Sequence, residues 1–329
     1  MCTALTLKSQ DGTHYFGRNM DLEYNFNQKI VLTPRNYQWE NVITNEKCPV
    51  KHAILGMGTV INEHPLYADA FNEKGLACAG LNFPNYCYHS TEVCPSKTNI
   101  GPYDLILWIL SNFETVSEVK EALKNINLVN KPFAPNVGLS TLHWIVYDTH
   151  NDCIVIEQTK EKFAVYDNKI GVLTNPPTFD WHIDNLKQYI HLCSDWIDET
   201  TWCGQPLKPD SCGLGLIGLP GDFYPISRFV RVAYLKSHAT HLETAETTIA
   251  EFYRILNNVA MPGGATEKRG NKEEVTLYTS CMALEKGEYY YTTYNNIQLN
   301  AIAFANENLD TDQLKSYEYL DKLSIHMQN

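Results

Sequence analysis

The chain has 329 residues, of which 44% are apolar, so a sizeable buried core is expected and disorder is not. Lys and Arg total 26 against 38 Asp and Glu, a net charge of −12, which argues against nucleic acid or an anionic membrane as partner. The most apolar run, LILWIL at 105–110, falls far short of the roughly 20 residues that span a bilayer, and no leader pattern opens the chain. The expectation is a cytoplasmic protein whose ten cysteines, none spaced C-x-x-C, are reduced thiols.

Alternation in CTALTLKS (2–9), then Asp11-Gly12, then THYFGRN (13–19), predicts a β-hairpin. Strands follow at 29–33 and 52–59, with a second hairpin over 67–83. Helices are predicted at 104–113 and 116–125, the latter opened by a capping box of Thr115 and Glu118. Strands return at 141–148, 153–158, 162–167 and 170–175, then helices at about 178–194, 226–238 and 246–260. The chain closes with strands at 275–284, 288–295 and 298–305. Sheet, helices, sheet, helices, sheet is the order of an α+β layered domain, here a single one over 1–329. The Gly/Pro/Asp-rich stretch 196–224 shows little periodicity and reads as an assembly or active-site loop.

GLGLIG (213–218) spells G-x-G-x-x-G, but PDSC precedes it and LPGDFYP follows it, where a dinucleotide fingerprint needs a strand and then a helix. The eleven histidines show no metal-ligand spacing, and there is no G-x-S-x-G elbow, so neither metal nor serine-hydrolase chemistry is predicted. His143, inside the apolar run TLHWIV, is expected to be a hydrogen-bonded core histidine. Nothing in the sequence calls for a cofactor.

Cys2 stands directly behind the initiator methionine and is small enough for Met1 to be trimmed away. The trimmed chain would carry a thiol and a free α-amine on one residue. A free thiol titrates near ~8.5 and an α-amine near ~7.7–8.0, so proton exchange between them is nearly balanced. A neighbouring cation would favour the thiolate, and the amine could return the proton to a leaving nitrogen. Most cysteines are structural, yet position 2 beside the R-N-x-D hairpin favours function. If Asp11-Gly12 is a two-residue turn, cross-strand numbers sum to 23, so that Cys2 faces Asp21 with Asn19 as a same-face neighbour. Arg18 then points away, opposite Leu5, unless a bulge at Gly17 turns it over.

Five separated stretches carry a resemblance: MCTALTLKSQDGTHYFGRNMD, NEKGLACAGLNFP (72–84), GVLTNPPTFDWH (171–182), GLPGDFYPISRF (218–229) and YTSCMALEKGEYYY (278–291). Together, in register from end to end, they resemble the choloylglycine hydrolase family, which contains conjugated bile salt hydrolases and penicillin V acylases. That resemblance implies the N-terminal nucleophile hydrolase fold, a four-layer αββα stack with two antiparallel sheets, and amide hydrolysis without cofactor or metal. Carried over by position, Cys2 is the nucleophile, and Arg18 and Asp21 polarise and orient it. Asn175 and Asn82 are oxyanion donors, and Arg228 is the remaining active-site arginine. The family's pocket positions fall on Met20, Ile61, Ala68, Phe133, Val137 and Leu142, each equally credible as plain core.

The implied substrates are bile acids joined to glycine or taurine, and the implied assembly is a homotetramer. Many penicillin V acylases carry tyrosine where this chain has Asn82, so the resemblance leans towards bile salts, with penicillin V as the alternative. A glutamine-dependent amidotransferase also begins with a nucleophilic cysteine, but this length leaves little room for a synthase domain. A catalytically dead bile-acid binder would not need intact Cys2, Arg18, Asp21 and Asn175.

Overall fold

The structure is a computed structural model that describes residues 1–135 and 138–329. Its opening hairpin joins β1 (Cys2–Lys8) to β2 (His14–Leu22), as the alternation predicts. The turn differs from the expected two-residue form. Ser9 N donates to Thr13 O at 2.9 Å, which encloses three residues, Gln10, Asp11 and Gly12. Asp11 Oδ1 accepts from Thr13 N at 2.9 Å, and Gly12 takes φ +95°, where a glycine is needed to close a three-residue hairpin. One extra loop residue shifts every pair, so Cys2 faces Met20 and Ala4 faces Arg18. Arg18 therefore shares the Cys2 face without any bulge, while Asn19 and Asp21 lie on the other. Gly17 has a different reason to be glycine: an added Cβ would sit 2.0 Å from Ser280 O on the next strand.

The hairpin supplies the second and third strands of a six-stranded sheet. It continues through β3 (Lys29–Thr33), β4 (Ile54–Ile61), β5 (His64–Asn72) and β6 (Ala77–Asn82) into a second sheet. That sheet is completed by β7 (Leu142–Tyr147), β8 (Cys153–Gln158) and β9 (Phe163–Asp167). The chain then returns to the first sheet with β10 (Val172–Leu173), β11 (Val275–Ala283), β12 (Glu288–Thr293) and β13 (Asn300–Ala303). A last strand, β14 (Lys315–Tyr317), crosses back. The first sheet has the order β10-β1-β2-β11-β12-β13, and the second has β9-β8-β7-β6-β5-β4-β3-β14. Every pairing within both is antiparallel.

Among the described residues, five α-helices cover the outer faces. α1 (Leu105–Asn112) and α2 (Val116–Leu123) pack against the eight-stranded sheet in a core containing Trp39, Leu105, Ile109 and Trp144. The Thr115–Glu118 capping box forms as expected. α4 (Pro225–Ser237) and α5 (Ala245–Asn257) cover the six-stranded sheet, next to the shorter α3 (Phe179–Leu186). Between the sheets, Ala4, Met20, Ile30, Leu32, Ala79 and Leu81 belong to one continuous apolar cluster that reaches Phe229 and Phe252 of the helices. This is the αββα stack.

Several boundaries depart from expectation. The helix predicted over 178–194 ends at Leu186 with one further turn, Lys187–Tyr189. The stretch 196–224 contains a small hairpin, Thr200–Trp202 with Gln205–Leu207, and GLGLIG forms only a short turn at Leu214–Leu216. Short strands such as β14 carry too few residues to show a period.

Because Gly17 has no room for a methyl group, Gly17→Ala should destabilise the fold by about 3 kcal/mol through overpacking. Urea denaturation would measure this, and an unchanged midpoint would contradict the close approach of β2 and β11.

Candidate active site

Alternation places Cys2, Met20 and Arg18 on the face of the hairpin that looks towards the second sheet. Cys2 Sγ lies 3.9 Å from Met20 Sδ, and Arg18 Nη2 is 3.4 Å from the same sulfur. The guanidinium reaches across the sheet interface, where Nη1 donates to Gly80 O at 2.6 Å and to Ala68 O at 3.2 Å. Burial works against its charge, but Cys2, Tyr278, Asp69 and Asp21 outweigh it and hold Arg18 more firmly protonated than usual. Asp69 is also buried; it accepts from Tyr278 Oη at 2.5 Å and Tyr289 Oη at 2.7 Å. A fixed cation therefore stands on the thiol's own face.

Asp21 is on the opposite face with Thr3 and Asn19. Its Oδ1 accepts from Thr276 Oγ1 at 2.6 Å, while Oδ2 is buried without a partner among the described residues. Burial pushes its carboxyl up, against the pull of the N-terminal ammonium and Arg228. Met1 extends the β1–β2 ladder by one pair, with its ammonium on Asp21 O at 2.6 Å and Asp21 N on Met1 O at 3.0 Å. The same ammonium forms an ion pair with Glu274.

β10 pairs with β1 only through Leu173, and the chain then turns outward so that Asn175 meets Cys2 with its side chain. Asn175 Oδ1 accepts from Cys2 N at 2.7 Å and from Arg228 Nη2 at 2.8 Å. Its Nδ2 donates to Asn82 O at 2.8 Å. Arg228, in the first turn of α4, is fully buried and also donates through Nη1 to Cys2 O and Thr3 Oγ1, each at 2.5 Å. Burial lowers its pKa, with Asp21 and Cys2 opposing. Cys2, Asn82, Asn175 and Arg228 thus form one hydrogen-bonded unit.

Above this unit lies a cavity of about 340 Å³, lined by Met1, Asn82, Asn175, Tyr86, Tyr224 and Lys268 among others. A larger cleft of about 900 Å³ lies between α5 and the outer face of β11 and β12, but its lining includes no member of the unit, whereas Asn82 and Asn175 line the smaller one. Of the six pocket positions taken from the resemblance, Met20 touches Cys2. Ile61, Ala68, Phe133 and Leu142 are half-buried, with Phe133 packed on His64 and Tyr103 and Leu142 paired with Asn82. None of these five lines the cavity over Asn175. Val137 lies outside the described residues.

Residues 2–317 match the family described as linear amide C–N hydrolases, choloylglycine hydrolase family. The chain belongs to the choloylglycine hydrolase family. It is 51% identical to a bile salt hydrolase/transferase of Clostridium perfringens, over 100% of both chains. The solved structure of the C2A variant of a conjugated bile acid hydrolase from that organism covers 100% of both chains with a TM-score of 0.96 and 50% identity. A penicillin V acylase from Agrobacterium tumefaciens shares the fold, with a TM-score of 0.76 at 19% identity over 97% of this chain and 91% of that one.

The fold also places residues at the site that spacing alone did not single out. Lys268 bridges Glu23 at 2.6 Å and Glu274 at 3.3 Å at the cavity mouth. His182 donates from Nε2 to Asn175 O at 2.9 Å, and burial pushes its ring down to about 4, with that hydrogen bond opposing and His143 and Arg228 reinforcing the shift. Lone residues without a repeat or ligand spacing leave no signal beyond their place beside the motifs.

The depressed His182 pKa links stability to pH. Unfolded, the ring titrates near 6.5; folded, near about 4, so the unfolded chain holds more protons in between. Its contribution, about 3 kcal/mol, is complete above pH 6.5 and is lost as pH falls towards 4. His182→Gln should flatten stability against pH in that window by up to one proton, as urea unfolding at stepped pH would read. An unchanged slope would contradict the buried neutral ring.

Proposed function

We propose that this chain hydrolyses the amide bond joining a bile acid to glycine or taurine, with Cys2 as nucleophile once Met1 is removed. The observation that carries this is the single hydrogen-bonded unit of Cys2, Asn175, Asn82 and Arg228 at the foot of a cavity. Bile salt hydrolases to which the chain is similar supply the substrate class.

Removal of Met1 converts the Cys2 peptide nitrogen into an amine. The unpartnered Asp21 Oδ2 is the acceptor that can hold it, and Asn175 Oδ1 already receives its N–H. The thiol passes its proton to that amine, and Arg18 stabilises the negative sulfur from the same face. The sulfur attacks the amide carbonyl. Asn175 Nδ2 keeps one hydrogen beyond its bond to Asn82 O, and together with the Asn82 amide it stabilises the oxyanion. The C–N bond breaks and the departing amino acid takes the proton from the amine. Water then adds to the thioester, giving a proton to the amine, and the free bile acid leaves as the thiol re-forms. No step draws on a cofactor or metal.

The steroid needs an apolar wall. Of the lining expected from the resemblance, Met20 touches Cys2, while Ile61, Ala68, Phe133 and Leu142 stand outside the cavity over Asn175; charge beyond the scissile amide meets the polar mouth at Lys268. We propose a cytoplasmic homotetramer, in which exposed Ile190, Trp202 and Ile217, at 86%, 69% and 70% exposure, are the apolar surface available for subunit contacts.

For at least one glycine or taurine conjugate, kcat/KM should exceed that for penicillin V by tenfold or more, roughly 1.4 kcal/mol of transition-state discrimination. Competition between the two in one vessel, with released amines measured, gives the ratio directly. A win for penicillin V would replace the bile salt reading with an acylase acting on that drug.

A further inference from the structure

The ladder between β1 and β10 ends at Leu173, two residues before the side chain that matters most. Pro176 and Pro177 follow Asn175 and offer no N–H, so the sheet does not hold Asn175 in place. Two histidines do. His143 on β7 approaches Thr174 O with Nε2 at 3.0 Å, and His182 on α3 approaches Asn175 O with Nε2 at 2.9 Å. A carbonyl only accepts, so both Nε2 atoms carry hydrogen. Thr174 Oγ1 adds a bond to Pro225 O at 3.0 Å.

Each ring is itself fixed, and in a matching way. His143 stacks on Phe83 with centroids 4.3 Å apart, and His182 stacks on Phe229 at 4.5 Å. Phe83 directly follows Asn82, and Phe229 directly follows Arg228, so both rings are braced by neighbours of site residues. Behind His143, Nδ1 meets Glu157 Oε1 at 3.0 Å, and the Glu157 carboxylate also accepts Phe179 N at 3.1 and 3.2 Å, at the start of α3. Behind His182, Nδ1 has no partner among the described residues. Both histidines and Glu157 are fully buried, and none lines the cavity.

We infer that His182, and His143 with its brace Glu157, are positioning residues that hold consecutive backbone carbonyls so that the Asn175 amide is aimed at the developing oxyanion. An oxyanion donor acts through geometry set before the reaction, and a displacement on the order of 1 Å can cost about 10²-fold in rate. The two histidines touch no reacting atom; their effect passes through Asn175. The inference rests on the hydrolase reading above.

The test is a double-mutant cycle on hydrolysis of a glycine-conjugated bile salt. His182→Phe keeps ring and stacking but removes the donor, and should lower kcat tenfold or more while KM moves less than twofold. His182→Gln, which restores an N–H at the Nε2 position, should recover kcat to within threefold of wild type. In an Asn175→Ala background, itself slowed by about 10²–10³, His182→Phe should cost less than twofold further, because the group it serves is gone. His143→Asn retains a partner for Glu157 but falls short of Thr174 O; it should show the same masking and stands in if His182→Phe proves insoluble. Equal losses in both backgrounds, an unaffected kcat, or no rescue by Gln would overturn the positioning role with the hydrolase reading intact. A wild-type enzyme that leaves the conjugate untouched would overturn both.

Discussion

The site depends on one side-chain carboxamide. Asn175 Oδ1 receives hydrogens from both the Cys2 nitrogen and Arg228 Nη2. Arginine can only donate, so the oxygen must face it and the amide nitrogen must face Asn82 and the cavity. That orientation joins the first residue of β1, the end of β6, the turn after β10 and the start of α4. These are four segments from both sheets and a helical layer. The fold brings them together; the carboxamide fixes their relation to within a hydrogen bond.

Charge is distributed around this point by the pleat of one hairpin. Arg18 and Cys2 share the face that looks between the sheets, whereas Asp21 lies on the face under the helices with Arg228 and Thr276 near it. The thiol thus sees a cation while its amine is served from the other side by a carboxylate. With Met1 in place, its ammonium is bound to Asp21 O and Glu274, and Met1 itself lines the cavity. The peptide bond to Met1 leaves the Cys2 nitrogen no lone pair for proton transfer, so the proposed mechanism requires trimming.

The layered class was legible because long strands and amphipathic helices carry a strong period, and the Thr115–Glu118 box marked the start of α2 to the residue. The hairpin register was not. DG inside SQDGTH suits a two-residue turn, but Asp11 folds back on Thr13 N and Gly12 supplies the positive φ of a three-residue one. One residue of loop decides which face Arg18 takes, and the corrected register brings it to Cys2 more simply than the bulge invoked at Gly17. Gly17 answers to the neighbouring strand, which no local pattern could reveal. His143 reads correctly as a hydrogen-bonded core residue, yet its link to the Asn175 segment needs β7, β10 and α3 assembled.

The central claim is that Cys2, as the first residue of the mature chain, carries the acyl group. Rapid acid quench of the enzyme during turnover of a conjugated bile salt, followed by intact and peptide mass measurement, tests it most directly. The account predicts a chain lacking Met1 with the bile acyl group on the Cys2 peptide, and no adduct in Cys2→Ser. An adduct on another residue, or full activity from a chain that retains Met1, would contradict it.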